Sequence, residues 1–284
     1  MARVKIVFLA LCCLSTWFIG PVSLARAENI SIPNFWDKYE RYQKPDLSNL
    51  PRLRFLTTTD FPPFNFIDRK KRLSGFHIDL ARAICARLDV LYRCQIQAVP
   101  WDELEKSLRT GDAEAVIAGL AISKEARKEL AFSKPYLHIP GRFVIRKDAG
   151  INAPIYEGLF KKKTGVVQGS AHMAYFDEAF REREFVTFPS RQAALLALQE
   201  AKIDSVFADA VSLSFWLTSP ASKDCCVFID GAFLSESHFG QGMTVAFKKG
   251  DERLESGINY ALQKINEDGT FGELYLRYFP LGLF

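Results

Sequence analysis

AEAVIAGLAISKEARKELAF, residues 113–132, is the stretch around which the rest of the chain falls into place. Ala115-Val116-Ile117-Ala118 is a short apolar run ending in small residues, the pattern of a buried strand whose end leaves room for something else. A helix is expected to follow. Ser123 suits its N-cap, and Lys124 to Glu129 are helix formers that set Glu125 and Glu129 one turn apart. Gly119 and Ala121 then lie where strand passes to helix, and free backbone N–H groups at such a start attract an anion. The same residues also read as an ordinary strand-turn-helix with no ligand, so the flanking sequence has to decide.

The chain has 284 residues, 48% hydrophobic and 25% charged, enough for two modest α/β units with real cores. A net charge of +4 spread over 37 basic and 33 acidic residues does not argue for a nucleic-acid partner. Residues 1–27 read as a leader: Arg3 and Lys5, the apolar run Ile6 to Ile19, then Ala25-Arg26-Ala27 as a small-x-small cleavage site. The run is shorter than the roughly 20 residues that span a bilayer. Bulky Leu11 directly before Cys12 counts against a lipoprotein signal, so simple cleavage and export are expected. Residues 28–51 form an extension with Pro33, Pro45 and Pro51, whose aromatics Phe35, Trp36 and Tyr39 are expected to pack on the outside of the body.

Export places the four remaining cysteines in an oxidising compartment. A Cys85–Cys94 bridge would staple the end of one helix to the start of the next strand. For the adjacent pair Cys225 and Cys226, a vicinal disulfide, two free thiols and a cross-link between chains all stay open. No cysteine pair has a second ligand set at metal spacing, and no metal site is expected.

Read in order, Arg52 to Thr59 is a strand, Phe61-Pro62-Pro63-Phe64 a rigid aromatic turn, Ile78 to Leu88 a helix, Cys94 to Val99 a strand and Trp101 to Leu108 a helix. This alternation is that of a parallel sheet with crossover helices. A second block of the same layout follows: strands at 165–167, 185–188 and 203–208, with helices from Ala171, Arg191 and Asp209. A strand at 245–247 and helices at 251–267 and 271–278 close the chain.

The motifs FPPF, GFHIDLARAICARL, AGLAISKEARKELAFSKPY, GVVQGSAH, KIDSVFAD and AFKKGDERLESGINYALQKINEDGTFGELYLRYF occur in the order and spacing of family 3 solute-binding proteins. The chain resembles these periplasmic receptors of polar amino acid ABC importers over roughly residues 52 to 280. The resemblance implies a periplasmic-binding-protein fold of type II: two α/β lobes joined by a two-strand hinge, lobe I from 52–138 and 237–284, lobe II from 139–236. It implies a monomer that binds a small-molecule ligand between the lobes and hands it to an inner-membrane permease, with no cofactor and no catalysis. Position by position, Phe61 and Trp101 match aromatic walls, and Gly119 and Ala121 match strand-end residues that hold the ligand. Ser170 and Ala171 match a second-lobe loop that donates to its carboxylate. Asp209 matches the carboxylate that pairs with an α-ammonium. Cys85 and Cys94 match a disulfide of the basic amino acid branch.

Two departures stand out. The family carries Arg three residues after the position of Ser123, where its guanidinium grips the ligand carboxylate, and here that residue is Ala126. Arg127 follows, turned by about 100° on a helix, and is retained as a candidate ligand residue; Arg142 and the helix N-terminus are the alternatives. Ala121 also lacks the usual hydroxyl. A ligand without an α-carboxylate, such as an amine or a modified amino acid, is the other way to meet these losses. The second departure is His77, in place of the Asp of the usual GFDIDL run, read as a surface or core histidine. Two functions compete with transport on this fold. One is a cyclohexadienyl dehydratase-like enzyme recruiting Glu236, His238 or His172 as acid or base; the other is a sensory binding protein using residues 28–51 for a partner.

Overall fold

The computed structural model describes residues 30–37 and 39–284. The expected leader at 1–27 lies outside the described residues. In chain order, β1 (Leu53–Thr57), β2 (Asp60–Phe61), β3 (Asn65–Ile67), β4 (Leu73–Ser74), α1 (Phe76–Arg87), β5 (Cys94–Ala98), α2 (Trp101–Thr110), β6 (Ala115–Val116), α3 (Ala126–Glu129) and β7 (Leu130–Phe132) come first. There follow β8 (Gly141–Arg146), α4 (Ile155–Gly158), β9 (Thr164–Val167), α5 (Ala171–Ala179), β10 (Phe185–Phe188), α6 (Arg191–Gln199), β11 (Ser205–Asp209), α7 (Ala210–Leu217) and β12 (Cys226–Phe233). The chain ends with α8 (Glu236–Phe239), β13 (Ala246–Lys248), α9 (Glu252–Glu267) and α10 (Thr270–Tyr278).

Ten of these strands make two sheets of the same plan, and β2, β3 and β4 pair antiparallel in a small third sheet. In the first, ordered β5-β1-β6-β13-β7, β1 runs parallel to β5 and β6, while β13 is antiparallel to β6 and β7. In the second, ordered β10-β9-β11-β8-β12, β9 is parallel to β10 and β11, and β8 is antiparallel to β11 and β12. The chain therefore leaves the first sheet after β7, completes the second, and returns as β13. This is the two-lobed type II arrangement. β12 is not among the strands expected from the sequence. Asp230 in it takes a positive φ of 53°, an irregularity within the pairing to β8, whose register shifts between Ile229 and Phe233.

Period-two alternation builds both faces of the first sheet. Phe55 packs with Phe76, Ile84, Ile258 and Tyr275 on one side, and its neighbour Leu56 packs with Leu104, Leu108 and Leu130 on the other. Cys85 and Cys94 are bonded to each other, and so are Cys225 and Cys226. Gly75 cannot be replaced without a collision. Its φ is 132°, and a Cβ there would stand 2.2 Å from the Phe64 carbonyl oxygen. That close approach lets Phe76 and His77 donate their N–H groups to the Pro63 and Phe64 carbonyls, fixing the aromatic turn on the start of α1.

The helix expected from Ser123 is shorter than its composition suggests. α3 is a single turn, because Leu130 must already be extended to pair with Lys248 on β13. Ser123 Oγ accepts from Ala126 N–H at 3.0 Å, and Arg127 and Lys128 donate to the Ser123 and Glu125 carbonyls, while the N–H groups of Lys124 and Glu125 have no hydrogen-bond partner among the described residues.

The extension packs as a strap along the first lobe. Leu47 is 6% exposed and joins the core of α1 and α9. Tyr42 N–H donates to Gln263 Oε1 at 3.2 Å, and Gln263 Nε2 donates to the Glu40 carbonyl at 2.6 Å. Phe35 meets the ring of His138, beside the first crossing, at 4.5 Å.

Candidate functional site

Parallel strands bring their carboxyl ends to one edge of a sheet, and in open α/β sheets ligands bind outside that edge. In the first lobe β1, β5 and β6 end together. β1 leads into Phe61, β5 into Trp101 at the start of α2, and β6 into Gly119 and Ala121. Trp101 is 54% exposed and borders a cavity of about 340 Å³ with Thr58, Asp60 and Val99, so it is not a core residue. Phe61 is 36% exposed and stacks on buried Phe64 at 4.8 Å, which holds its ring out at the edge. Gly119, at φ 79°, passes beneath it: a Cβ there would be 3.3 Å from the Phe61 ring.

In the second lobe β9, β10 and β11 end together and start α5, α6 and α7. Each helix is capped by the residue before it. Ser170 Oγ accepts from Met173 N–H at 3.1 Å, Ser190 Oγ from Ala193 N–H at 3.2 Å, and Asp209 Oδ1 from Ser212 N–H at 2.8 Å. Capping leaves Ala171 N–H without a partner among the described residues. The other oxygen of Asp209 accepts from Arg191 Nη1 at 3.0 Å. His172 lies in the same corner, stacked on Phe239 at 4.7 Å. Burial pushes its pKa down, and the Arg191 charge adds to that while Asp209 opposes it, so the ring is neutral at pH 7.

The two edges approach each other at the crossings. Ala210 and Val211, just after Asp209, share a buried apolar cluster with Tyr136, Leu137 and Met243. Met243 Cε in turn stands 3.7 Å from where a Cβ on Gly119 would be. Ala210 N–H also donates to the Pro140 carbonyl at 2.9 Å.

Ala126 is buried among Leu104, Leu130 and Phe132. Arg127 is exposed and turned to Gln241, its Nη2 donating to Oε1 at 2.9 Å, with the guanidinium 5.9 Å from the Phe132 ring. No hydrogen bond or ion pair among the described residues joins it to Phe61, Trp101 or Asp209. Arg142 is 8% exposed, lies 4.4 Å over the Phe228 ring and donates to the Leu283 carbonyl. Its Nε is buried without a hydrogen-bond partner among the described residues, and the side chain borders a cavity with Ile30, Leu217 and Phe284. His238 is held by Ser235 and Ser237 and lies 3.3 Å from Glu178.

His77 is fully buried. Its Nδ1 lies 2.8 Å from Asn65 Oδ1, an acceptor, so Nδ1 carries the proton and Nε2 accepts from Tyr136 Oη at 2.8 Å. Asn65 Nδ2 continues the chain to Thr58 Oγ1, also at 2.8 Å. The histidine thus ties β3 and the strand end after β1 to the segment that leaves the first sheet. Neither sequence position nor local pattern announces this, since its partners are 12 and 59 residues away.

Two α/β lobes with strand-end residues converging at the crossings are the architecture of a binding protein that closes over a small solute. The model of bacterial extracellular solute-binding proteins, family 3, matches residues 53–281, and the chain belongs to that family. It is 30% identical over 235 residues to the lysine/arginine/ornithine-binding periplasmic protein of Escherichia coli K12, covering 82% of this chain and 89% of that one. Among solved structures, an ancestral cationic amino acid solute-binding protein is 27% identical with a TM-score of 0.60, covering 81% of this chain and 96% of that one. The unliganded, open L-cystine solute receptor of Neisseria gonorrhoeae has a TM-score of 0.71 at 18% identity, covering 82% and 94%, a likeness of fold.

Proposed function

We propose that the protein is the substrate-binding component of an importer for an amino-containing solute, with basic amino acids the first candidates. The observation that carries this is Asp209: a carboxylate fixed by a helix cap at a strand end, on the same sheet edge as the Ala171 N–H that has no partner among the described residues, in the lobe joined to the exposed rings of Phe61 and Trp101. Asp209 receives the ammonium, Ser170 and Ala171 donate to the carboxylate, and the two rings sandwich the side chain. Arginine, lysine and ornithine name the ligands of the Escherichia coli relative, and an aromatic pair suits a cationic chain. In this reading the mature protein is a monomer exported by residues 1–27, with lobes at 52–138 with 237–284 and at 139–236. An inner-membrane permease reads the closed shape, since the ligand favours the closed state by its tighter binding there.

Asp209→Asn keeps a capping side chain and removes the charge. It is expected to weaken binding of a basic amino acid about 30-fold, roughly 2 kcal/mol, while the melting temperature of the ligand-free protein stays put. Isothermal titration of the ligand-stripped protein checks this, and an unchanged dissociation constant removes Asp209 from the site. Trp101→Ala is expected to weaken binding by about tenfold or more and to change ligand-free stability by less than about 1 kcal/mol, because the ring is exposed. A large drop in melting temperature with unchanged affinity would make the ring structural instead.

A further inference from the structure

Within this reading of the cleft, we propose that Arg191 holds the solute's carboxylate, so that the guanidinium lost from position 126 is supplied by the opposite lobe. The first observation is the lack of any cation where one is expected. Ala126 is packed in the apolar cluster on the far face of β1, and Arg127 is turned to Gln241. Arg142, with its Nε buried and unpartnered among the described residues, lies over Phe228 and donates to Leu283 in a cavity that none of the candidate strand-end residues lines. The second is the position of Arg191. It is the first residue of α6, at the carboxyl end of β10, on the same edge as Ser170 and Asp209. Its side chain is 46% exposed, and Nη1 to Asp209 Oδ2 is its one polar contact among the described residues. A guanidinium offers a planar fork of N–H donors, so Nε and Nη2 stay available to a carboxylate.

The pair is also the right shape for a zwitterion. An α-amino acid carries its ammonium and carboxylate on adjoining atoms, and a carboxylate and guanidinium 3.0 Å apart present the complementary charges side by side. Laid against the pair, the ligand's ammonium meets Asp209 and its carboxylate meets Arg191, with Ala171 N–H as a further donor. All head-group recognition then lies on one lobe. The other lobe, with Phe61, Trp101, Gly119 and Ala121, offers rings and small residues without a hydroxyl at 119 or 121. Sequence spacing hides this arrangement, because Arg191 and Asp209 end different strands.

The test compares amino acids with their decarboxylated amines: arginine with agmatine, lysine with cadaverine and histidine with histamine, titrated into the ligand-stripped full mature protein and its Arg191→Gln variant. For the pair that binds most tightly, the wild type is expected to prefer the amino acid by about 30-fold. In Arg191→Gln the amino acid is expected to lose about that factor, while the amine binds as well as before or better, because Asp209 is released. Equal loss of both would overturn the proposal and make Arg191 a positioning residue for Asp209; loss of neither would remove it from the site. A wild type that binds amines as tightly as amino acids would overturn Arg191 alone and leave the amino-solute reading standing. No binding across all three pairs would instead overturn that reading, and this proposal with it. Because Arg191 is half exposed, the melting temperature of the ligand-free variant should match the wild type's, and Arg191→Lys, which keeps the charge without the fork, should recover part of the lost affinity.

Discussion

Lowering the pH of the ligand-free protein from 6.5 toward 3 should cost about 1.4 kcal/mol of stability per pH unit through His77 alone. Burial pushes the folded-state pKa of His77 from 6.5 down to about 3. Between those values the unfolded chain takes up a proton that the folded chain refuses. The stabilising contribution is therefore whole above pH 6.5, falls as the pH drops through the window, and is exhausted near pH 3. The cause is structural: Nδ1 already donates to Asn65, Nε2 already accepts from Tyr136, and no carboxylate among the described residues is bonded to the ring to receive a charge. His77→Ala should lose this slope, and should lower stability at pH 7 by roughly 2–4 kcal/mol, since it leaves Asn65 and Tyr136 without a partner and opens a cavity. Urea unfolding of both proteins at pH 7, 6, 5 and 4 measures both effects. Parallel stability curves for the two would show that His77 is not the titrating group.

Removing residues 28–51 is expected to lower the unfolding free energy by about 3 kcal/mol or more, since Leu47 is buried and Ile30, Phe35, Trp36 and Leu50 pack against the same cluster. In a protein of this size that is a fall of about 8 °C in melting temperature. Solute affinity should stay within about twofold of the full protein, because none of these residues lies at the carboxyl edge of either sheet. Calorimetry and titration on the truncated chain check both halves. Unchanged stability would return the segment to the role of a free partner-binding arm, and lost affinity with unchanged stability would contradict both accounts.

The elements that sequence made legible are those marked by strong local chemistry. Pro62 and Pro63 follow directly on β2, a serine or aspartate caps α5, α6 and α7, and apolar spacing draws α1, α2 and α9. Phe61, Trp101, Gly119, Ser170, Ala171 and Asp209 lie at strand ends, which is where such punctuation falls. What sequence could not show was set by pairing at a distance. β7 shortens α3 because β13, more than a hundred residues later, requires an extended partner. β12 is defined by its pairing with β8, and that pairing shifts register past Asp230. The burial of His77 depends on Asn65 and Tyr136, and the pairing of Arg191 with Asp209 depends on two different βα junctions. A missing arginine at 126 was visible at once; where another cation could meet Asp209 needed three dimensions.

The strap also bears on the order in which the molecule is built. Part of the strap's seat lies on the last helices: Pro45 and Leu47 cover Gly257, Ile32 covers Gly272, Arg253 donates to the Asp46 carbonyl, and Phe35 meets Phe284. Domains tend to fold from the amino terminus as the chain emerges. Here the stretch that emerges early can meet α1 and Arg93 soon after, but its seat is complete only when α9 and α10 have arrived. Its full docking marks completion, so a chain that stops short of α9 leaves those apolar residues partly uncovered and available to proteases.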